Sequence, residues 1–270
     1  MHLTEMLYQT MVGRLLLKCL IRPSVSERVG RWMDTGASKA LIPLFVKWNG
    51  IRLEDYELCS YDSFNAFFTR QIRKECRQIE MDPDRLIAPC DGRLTVCRID
   101  ADSRFEIKGR PYTMGELVRS GRLEEHYRGG WLLLFRLTVS DYHRYCYPAD
   151  CSKTKNYHVS GVFHTVHPVA AAERPIYKEN TREFSVLRTG RFGHVLMMQV
   201  GALLVGRIVN HHQAAVVRRG QEAGMFEYGG STVILCVEPG RLQVREDILE
   251  ASAKGTETVV RMGEAVGERL

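Results

Sequence analysis

The stretch EYGGSTVILCV, residues 227–237, joins a glycine turn to an apolar run. Two consecutive glycines allow backbone conformations that are closed to residues with a Cβ, and the run after them is rich in strand-forming residues. Ser231 opens the predicted strand, so its hydroxyl can be held next to the carbonyl group of Gly230. That geometry permits attack on the preceding carbonyl, although a Gly-Gly-Ser turn before a strand is by itself commonplace.

Short runs of the same kind fill the chain after Pro83 and predict a mostly antiparallel sheet protein. Turns containing Gly, Asp and Pro separate them, which is typical of strands joined by short connections. The predicted strands are residues 93–99, 105–108, 131–137, 184–187, 195–200, 203–209, 232–237 and 242–244.

The N-terminal part of the chain has helical periodicity instead. Its apolar residues recur every three or four positions up to about residue 48. Pro23, followed by Ser24 and Glu27, predicts a helix that starts with a capping box. Residues 63–70 predict one further short helix with a dense aromatic face, and such a face is usually core.

The same N-terminal region is basic as well as amphipathic. A helix of this kind can lie in the headgroup layer of a membrane with its apolar face in the acyl boundary. Helices packed on their own domain would show the same pattern. We predict an α+β chain with a helical, membrane-contacting region over residues 1–80 and a mostly antiparallel, β-rich catalytic core over residues 81–270.

Composition bounds the function without naming it. The 44% hydrophobic and 26% charged fractions are those of a globular protein and exclude wholesale disorder. A net charge of +6 suits an anionic membrane or nucleic acid but requires neither. The eight cysteines form no CxxC pair, and the N-terminus shows no signal-peptide pattern, so we expect a reducing, cytosol-facing compartment. The apolar runs are far shorter than the roughly 20 residues that span a bilayer.

Five further motifs precede Ser231 in a fixed order. They are Pro89-Cys90-Asp91-Gly92-Arg93, Asp141-Tyr142-His143-Arg144, Asn180-Thr181-Arg182-Glu183, the segment 200–206 (VGALLVG) and the segment 220–226 (GQEAGMF). Together with the Gly-Ser-Thr sequence that follows, they resemble the phosphatidylserine decarboxylases, and residues 13–17 and 67–70 also fit. An ordered set that ends at a processing site is far more specific than any one motif.

The resemblance implies a proenzyme that cuts itself between Gly230 and Ser231 into a β subunit, residues 1–230, and an α subunit, residues 231–270. Ser231 would become a covalent pyruvoyl group, so no external cofactor is expected. That group would bind phosphatidyl-L-serine as a Schiff base and take up the electrons left by CO2, giving phosphatidylethanolamine. The family also implies a core related to barrel-sandwich, lipoyl-like folds and, often, a further dimer.

Asp91 and His143 match the acid and histidine positions of the family. With Ser231 they give an arrangement in which a base activates a weak nucleophile. Many family members carry a second histidine three residues after the first, where this chain has Cys146. We therefore predict His164 as a possible auxiliary base and leave the division of labour between the two histidines open.

Tyr142 and Arg182 are the predicted substrate contacts. A guanidinium fork suits the phosphate of a lipid head group, while a structural ion pair explains Arg182 equally well. We predict no metal site, because the nearby cysteines and histidines lack the paired spacing of zinc ligands. This group comprises Cys146, Cys151, His158, His164 and His167.

The expected partners are phosphatidylserine, an anionic phospholipid membrane and the chain's own second fragment, with no nucleic acid. The expected location is peripheral, at the cytoplasmic face of the cell membrane. Two alternatives stay open. One is a pyruvoyl-dependent decarboxylase of a soluble amino acid, which the basic amphipathic N-terminus disfavours. The other is an unprocessed, non-catalytic homologue, which the intact Asp91, His143 and Ser231 disfavour.

Overall fold

The computed structural model describes residues 6–8, 10, 16–18, 20–57, 60–107, 110–202, 207–228 and 231–270. Gly230, one side of the predicted cleavage site, lies outside the described residues. So do residues 13–15 and 203–206 of two predicted motifs and Lys108 at the end of a predicted strand.

Helices dominate the described residues before position 77, as predicted. After short helical stretches at 6–8 and 16–18 come α1 (Pro23–Met33), α2 (Ile42–Asn49) and α3 (Phe64–Phe68). Turns of 3-10 helix lie at Gly36–Leu41, Leu53–Asp55 and Lys74–Cys76. The predicted capping box of α1 is wrong, since Arg22 is the N-cap residue and no side chain caps the helix. Proline at the first helical position has its φ preset and has no N–H that needs a cap.

The aromatic face of α3 is core, as its pattern predicts. The Ser63 hydroxyl caps this helix by accepting a hydrogen bond from the Ala66 N–H group at 3.1 Å. Phe64, Phe67 and Phe68 are at most 1% exposed and form a separate hydrophobic cluster with Met33. This cluster joins α3 to the preceding helices.

Strands dominate from Arg85 onward. They are β1 (Arg85–Ile87), β2 (Gly92–Arg98), β3 (Arg104–Ile107), β4 (Arg110–Thr113), β5 (Trp131–Leu137), β6 (Arg144–Cys146), β7 (Cys151–Lys153), β8 (Tyr157–Val159), β9 (Arg182–Thr189), β10 (His194–Val200), β11 (Ile208–Asn210), β12 (Ala215–Val217), β13 (Glu222–Phe226), β14 (Ser231–Val237), β15 (Leu242–Val244), β16 (Thr258–Val260) and β17 (Ala265–Arg269). Helices α4 (Met114–Val118), α5 (Gly121–Tyr127), α6 (Pro168–Glu173), α7 (Ile176–Glu179) and α8 (Glu246–Ala253) lie between them.

A nine-stranded sheet carries the core. Its order is β12-β7-β9-β10-β14-β5-β2-β16, with β8 paired to β9 in addition. Two three-stranded sheets, β1-β17-β15 and β11-β13-β6, and the β3-β4 pair complete the described strands. All ladders between these strands are antiparallel, which confirms the predicted sheet type.

The strand that begins at Ser231 lies in the middle of this sheet. β14 pairs with β5 on one side and β10 on the other, and all seven of its residues are buried. Burial on both faces explains why its sequence is continuously apolar rather than alternating. Ser231 lies opposite Leu137, and Thr232 lies opposite Val200.

No helix in the described part of the chain is both long enough and apolar enough to cross a membrane.

Candidate active site

Ser231 has a buried hydroxyl group without a hydrogen-bond partner. The residue is 0% exposed, and its Oγ contacts no donor or acceptor among the described residues. An unpaired buried polar atom costs roughly 1–3 kcal/mol, so its presence calls for a functional or structural explanation. The predicted role of Ser231 as a nucleophile is such an explanation.

His143 presents a second buried atom of this kind. Its Nδ1 lies 2.8 Å from the carbonyl oxygen of Asp141, and because a carbonyl oxygen only accepts, Nδ1 carries the proton. Nε2 therefore has a free lone pair, and it has no partner among the described residues. Burial, with a smaller contribution from Arg70, lowers the pKa of His143 to about 3. The imidazole is neutral at neutral pH.

Aromatic contacts place His143 next to the segment that leads to Ser231. The Phe68 ring lies 4.0 Å from the His143 ring, and Tyr228 packs edge-on against Phe68 at 5.4 Å. The Phe226 N–H group also donates to the His143 carbonyl oxygen at 2.9 Å. Helix α3 and the residues just before the glycine pair thus enclose the histidine.

Two polar anchors fix the residues before the glycine pair. The Asn65 side chain accepts a hydrogen bond from the Tyr228 N–H group at 3.0 Å and donates one to Asp34 at 2.8 Å. Glu227 accepts two hydrogen bonds from the Arg207 guanidinium, at 2.8 and 2.9 Å. Asn65 was missed from the sequence. The sequence did contain one signal for its role: an asparagine in a predicted helix, where this residue type is unfavourable.

Asp91 is fully engaged elsewhere. Arg77 donates from Nε to one carboxylate oxygen at 2.8 Å and from Nη2 to the other, and the Met262 N–H group adds a third contact at 2.9 Å. The side chains of the pair are only 10% and 13% exposed. Asp91 makes no hydrogen bond to His143. Arg77 was not identified from the sequence, since nothing in its spacing links it to a residue 14 positions away.

The sheet fixes the distance between the acid and the serine. Gly92 begins β2 beside Leu137 on β5, and Leu137 lies opposite Ser231 on β14. Two strand spacings of about 4.8 Å place the Gly92 backbone about 10 Å from that of Ser231. Gly92 is required here because a Cβ would come within 2.9 Å of the Arg136 carbonyl oxygen.

Cys146 lies beside the acid. Its N–H group donates to the carbonyl oxygen of Pro89 at 2.8 Å, two residues before Asp91. Burial, with the Asp91 carboxylate adding to it, raises the pKa of the Cys146 thiol to about 12. The thiol stays protonated at neutral pH and does not replace a histidine as a base.

His164 has both ring nitrogens occupied. Its Nε2 lies 3.2 Å from a carboxylate oxygen of Glu179, and its Nδ1 lies 3.1 Å from the Tyr8 hydroxyl. That hydroxyl accepts a hydrogen bond from the Thr165 N–H group, so its own proton is directed to Nδ1. Burial, followed by the charge of Arg174, lowers the pKa of His164 to about 4. These contacts leave no free lone pair on His164.

Arg182 is buried among backbone carbonyl groups. It is 0% exposed and uses four of its N–H groups on carbonyl oxygens at 2.7–2.9 Å, those of Leu117, Lys178, Asn180 and Glu116. These contacts disfavour a role in phosphate binding. They also replace the expected ion pair, since every acceptor is a neutral carbonyl. Arg182 ties β9 to α4 and α7.

Tyr142 lines a cavity of about 340 Å³ next to the acid. The cavity is bounded in part by Cys146 and by Arg77 and Met262, the two residues that donate to Asp91. Lys74 and Arg144 also line the cavity, together with Glu222, whose carboxylate pairs with Arg144 at 2.8 Å. The five cysteines and histidines considered as metal ligands form no group of three within reach of one another in the part of the chain that the structure describes.

Comparison with known proteins gives one consistent result. A family model described as "Phosphatidylserine decarboxylase" matches residues 64–268. The "Phosphatidylserine decarboxylase proenzyme 2" of Clostridium acetobutylicum is 41% identical over 266 residues, covering 98% of this chain and 91% of that protein. The "Phosphatidylserine decarboxylase proenzyme" of Clostridium novyi is 36% identical (98% and 92% covered), and that of Chlamydia caviae is 35% identical (98% and 90% covered). The ordered motifs, the buried serine at the head of β14 and these matches agree: the chain belongs to the phosphatidylserine decarboxylase family.

Proposed function

We propose that this chain is a phosphatidylserine decarboxylase proenzyme, which converts phosphatidyl-L-serine into phosphatidylethanolamine and CO2 after cutting itself between Gly230 and Ser231. One observation carries the proposal: Ser231 Oγ and His143 Nε2 are both buried and both lack a partner among the described residues. A buried serine that follows two glycines fits a residue that becomes a pyruvoyl group. When present, that group supplies the electron sink for loss of CO2.

The proposed maturation needs only the chain and one water molecule. Ser231 Oγ attacks the Gly230 carbonyl carbon while His143 Nε2 accepts the hydroxyl proton, and the peptide bond is exchanged for an ester. Elimination then leaves a carboxylate on Gly230 and dehydroalanine at residue 231. Addition of water to the tautomeric imine releases ammonia and leaves the ketone. The Asp141 carbonyl oxygen holds the ring of His143 in the tautomer that accepts the proton. Asp91 remains the proposed carboxylate member of the catalytic set, although its hydrogen bonds go to Arg77 and the Met262 N–H group rather than to His143.

The two fragments are expected to stay together as a heterodimer of residues 1–230 and 231–270. Within the later segment, β14 pairs with β5 and β10, β16 pairs with β2, and β17 pairs with β1. Cutting one bond at the head of β14 removes none of these ladders. The proposed core, residues 81–270, is related to barrel-sandwich, lipoyl-like folds, which the continuous antiparallel sheets support.

The cavity beside Asp91 supports an anionic head group as substrate. Lys74, Arg77 and Arg144 line about 340 Å³ together with Glu222; Arg77 is paired with Asp91 and Arg144 with Glu222, so Lys74 is the cation of this wall that has no ion-pair partner among the described residues. A phosphoserine head group carries a phosphate and a carboxylate, and a cation in the wall attracts such ligands. Tyr142 is the proposed substrate contact in this wall.

The helical region, residues 1–80, is the proposed membrane-contacting surface. Trp32, Leu44 and Trp48 are 46%, 45% and 78% exposed. Exposed basic residues accompany them, namely Arg28, Arg31, Lys39 and Lys47. Tryptophan and basic side chains together favour the interface of an anionic membrane. These features support a peripheral enzyme, with the cytoplasmic face of the cell membrane as its proposed location.

Intact-mass measurement of the purified protein tests the processing step. We expect a fragment of residues 231–270 that carries a pyruvoyl cap, and no such fragment from Ser231→Ala. Ser185→Ala, which alters another buried serine, is the matched control and should cleave normally. A single full-length species from the unaltered chain would support the non-catalytic alternative.

A second experiment separates the two substrate classes. The processed protein should release CO2 from phosphatidylserine liposomes and not from free L-serine, and it should float with those liposomes. Trp32→Ser with Trp48→Ser should weaken flotation about tenfold, while the control Val216→Ser with Val259→Ser, at two other exposed apolar sites, should not. Turnover of free L-serine without flotation would favour the soluble-substrate alternative.

A further inference from the structure

The side chains of His126, His194 and Glu238 meet at the C-terminal end of β14, whereas Ser231 lies at the N-terminal end of that strand. His126 lies in the last turn of α5, His194 begins β10, and Glu238 directly follows the last residue of β14. Seven strand residues span about 23 Å, so this cluster is remote from the proposed active site. None of the three residues has a role in the maturation or in the substrate cavity.

The three side chains converge on one point. Glu238 Oε1 lies 2.7 Å from His126 Nε2 and 2.7 Å from His194 Nδ1, and all three ligand atoms lie within 4.8 Å of one another. Two imidazoles and a carboxylate are the ligand set of open zinc sites, in which a water molecule takes the fourth position. Metal–ligand distances of about 2.0 Å separate tetrahedral ligands by about 3.3 Å, so each contact must lengthen by about 0.6 Å to admit an ion.

The backbone is built around the carboxylate. The His194 N–H group donates to Glu238 Oε1 at 2.8 Å, and Glu238 is only 13% exposed at its side chain. Gly193 has a φ of +65°, and a Cβ at this position would overlap the Glu238 carboxylate. The left-handed backbone conformation favours glycine here, and a Cβ would oblige the end of the Glu238 side chain to shift. A hydrogen bond to a ligating carboxylate is the support that metal sites typically have.

Other histidine–glutamate contacts lack the third member. His211 meets Glu222 at 2.7 Å, and His158 meets Glu183 at 3.5 Å, one histidine to each carboxylate. Among the residues that the structure describes, only Glu238 belongs to a group of three. His126 and His194 also line a cavity of about 720 Å³, so water or a small anion can reach the open coordination position.

We propose that His126, His194 and Glu238 bind one divalent transition-metal ion of the zinc class, with water or an anion from the cavity as the fourth ligand. Each imidazole presents a lone pair to the ion and carries its proton on the other nitrogen. Imidazole ligands favour zinc, copper, nickel and cobalt over magnesium or calcium.

The site has a consequence that rests on the proposed cleavage. After a cut at Gly230, both histidines belong to the long fragment and Glu238 belongs to the short one. The ion would therefore cross-link the two fragments at the end of β14 that is far from the cut. Metal binding itself does not require cleavage, because the three residues are already together in the uncut chain.

The test uses full-length protein without a purification tag, stripped with a chelator. Titration with Zn²⁺ by calorimetry, and with Co²⁺ by visible absorbance, should show one ion per chain. His126→Ala, His194→Ala and Glu238→Gln should each weaken binding at least about tenfold. His211→Ala is the matched control, because it removes a histidine from a similar contact that has no third ligand, and its binding should be unchanged.

A second measurement separates binding from folding and from processing. Zn²⁺ should raise the melting temperature of the unaltered chain and of uncut Ser231→Ala equally, and it should leave that of Glu238→Gln unchanged. Equal Zn²⁺ binding by Glu238→Gln and the unaltered chain would overturn the proposal, and so would an equal loss in His211→Ala. Binding by Ser231→Ala shows that the site stands even if the proposed cleavage fails.

Discussion

Two neighbouring corners of the molecule are built in opposite ways. Around Asp91, every oxygen of the carboxylate has a donor, from Arg77 or from Met262. Around Ser231 and His143, several buried polar atoms have none among the described residues, and Ser231 Oγ and His143 Nε2 are two of them. A satisfied buried pair resists change because removal of either member strands the other charge. An unsatisfied pair of atoms instead offers a nucleophile and a lone pair.

This difference does not fit a simple arrangement in which Asp91 orients His143 and His143 activates Ser231. The group that orients His143 is the Asp141 carbonyl oxygen, and the acid next to Cys146 is occupied by Arg77. Cys146 lies at the position where the resemblance implies a second histidine, and its protonated thiol provides no base. We therefore propose His143, whose Nε2 has no partner among the described residues, as the base rather than His164, whose nitrogens are both occupied.

The largest expected effect concerns these two histidines. His143→Gln should slow self-cleavage by about 10² to 10⁴-fold, the usual contribution of a positioned base, while His164→Gln should change it less than about threefold. The measurement is the rate at which fragment 231–270 appears after cell-free synthesis. The double variant His143→Ala with His164→Ala serves as the decisive case. Normal cleavage by it would show that neither histidine is needed.

Removal of the Arg77–Asp91 ion pair tests the surroundings of Asp91. Arg77→Met should destabilise the protein by about 3–5 kcal/mol, because it leaves the Asp91 carboxylate buried without its charge partner. Arg77→Met combined with Asp91→Asn should cost less than the sum of the single changes in urea unfolding. Arg269→Met, at an exposed pair 3.8 Å from Asp84, is the control and should cost under about 1 kcal/mol. Equal losses of stability in Arg77→Met and Arg269→Met would mean that the Asp91 pair contributes no more than an exposed ion pair.

Acid pH should lower the stability of the protein, because its buried histidines are neutral when folded. The folded pKa values of His143 and His164, about 3 and about 4, lie below the ordinary value of 6.5. Between the folded pKa values and 6.5, the unfolded chain therefore binds more protons than the folded chain. The free energy of unfolding is then highest above pH 6.5 and falls as the pH drops below it. The slope should approach about 1.4 kcal/mol per pH unit for each histidine near pH 5 and should be shallower near pH 7. Urea unfolding at pH 7, 6 and 5 measures it, and His143→Gln should flatten it. An unchanged slope in that variant would place the titration elsewhere.

The smallest effect concerns the anchor of the cleavage segment. Asn65→Ala removes the acceptor of the Tyr228 N–H group and should cost about 1–3 kcal/mol of stability. Cleavage should slow by up to about tenfold, because Tyr228 lies two residues before Gly230. Asn49→Ala, which removes a side-chain hydrogen bond on α2, is the matched control. If both variants cleave alike, Asn65 does not position the segment.

Long apolar runs were predictable, whereas most three-residue strands were not, although β15 (Leu242–Val244) was predicted with the same bounds. The runs 93–99, 131–137, 195–200 and 232–237 match β2, β5, β10 and β14 within one residue at each end. The short strands β6, β7, β8, β12 and β16 went unrecognised because three residues are too few to show a period. Their pairing is decided by the strands beside them.

The sequence by itself determined the family, the expected position of the cut and the candidate site residues, because ordered motifs and an apolar strand can be recognised from the sequence alone. Only the tertiary structure showed that Arg77 occupies Asp91, that Asp141 orients His143 and that Arg182 serves the backbone. These outcomes depend on contacts between residues 2 to 66 positions apart. At the head of β14, sequence named Ser231 as the nucleophile, and burial between β5 and β10 left its hydroxyl without a partner among the described residues.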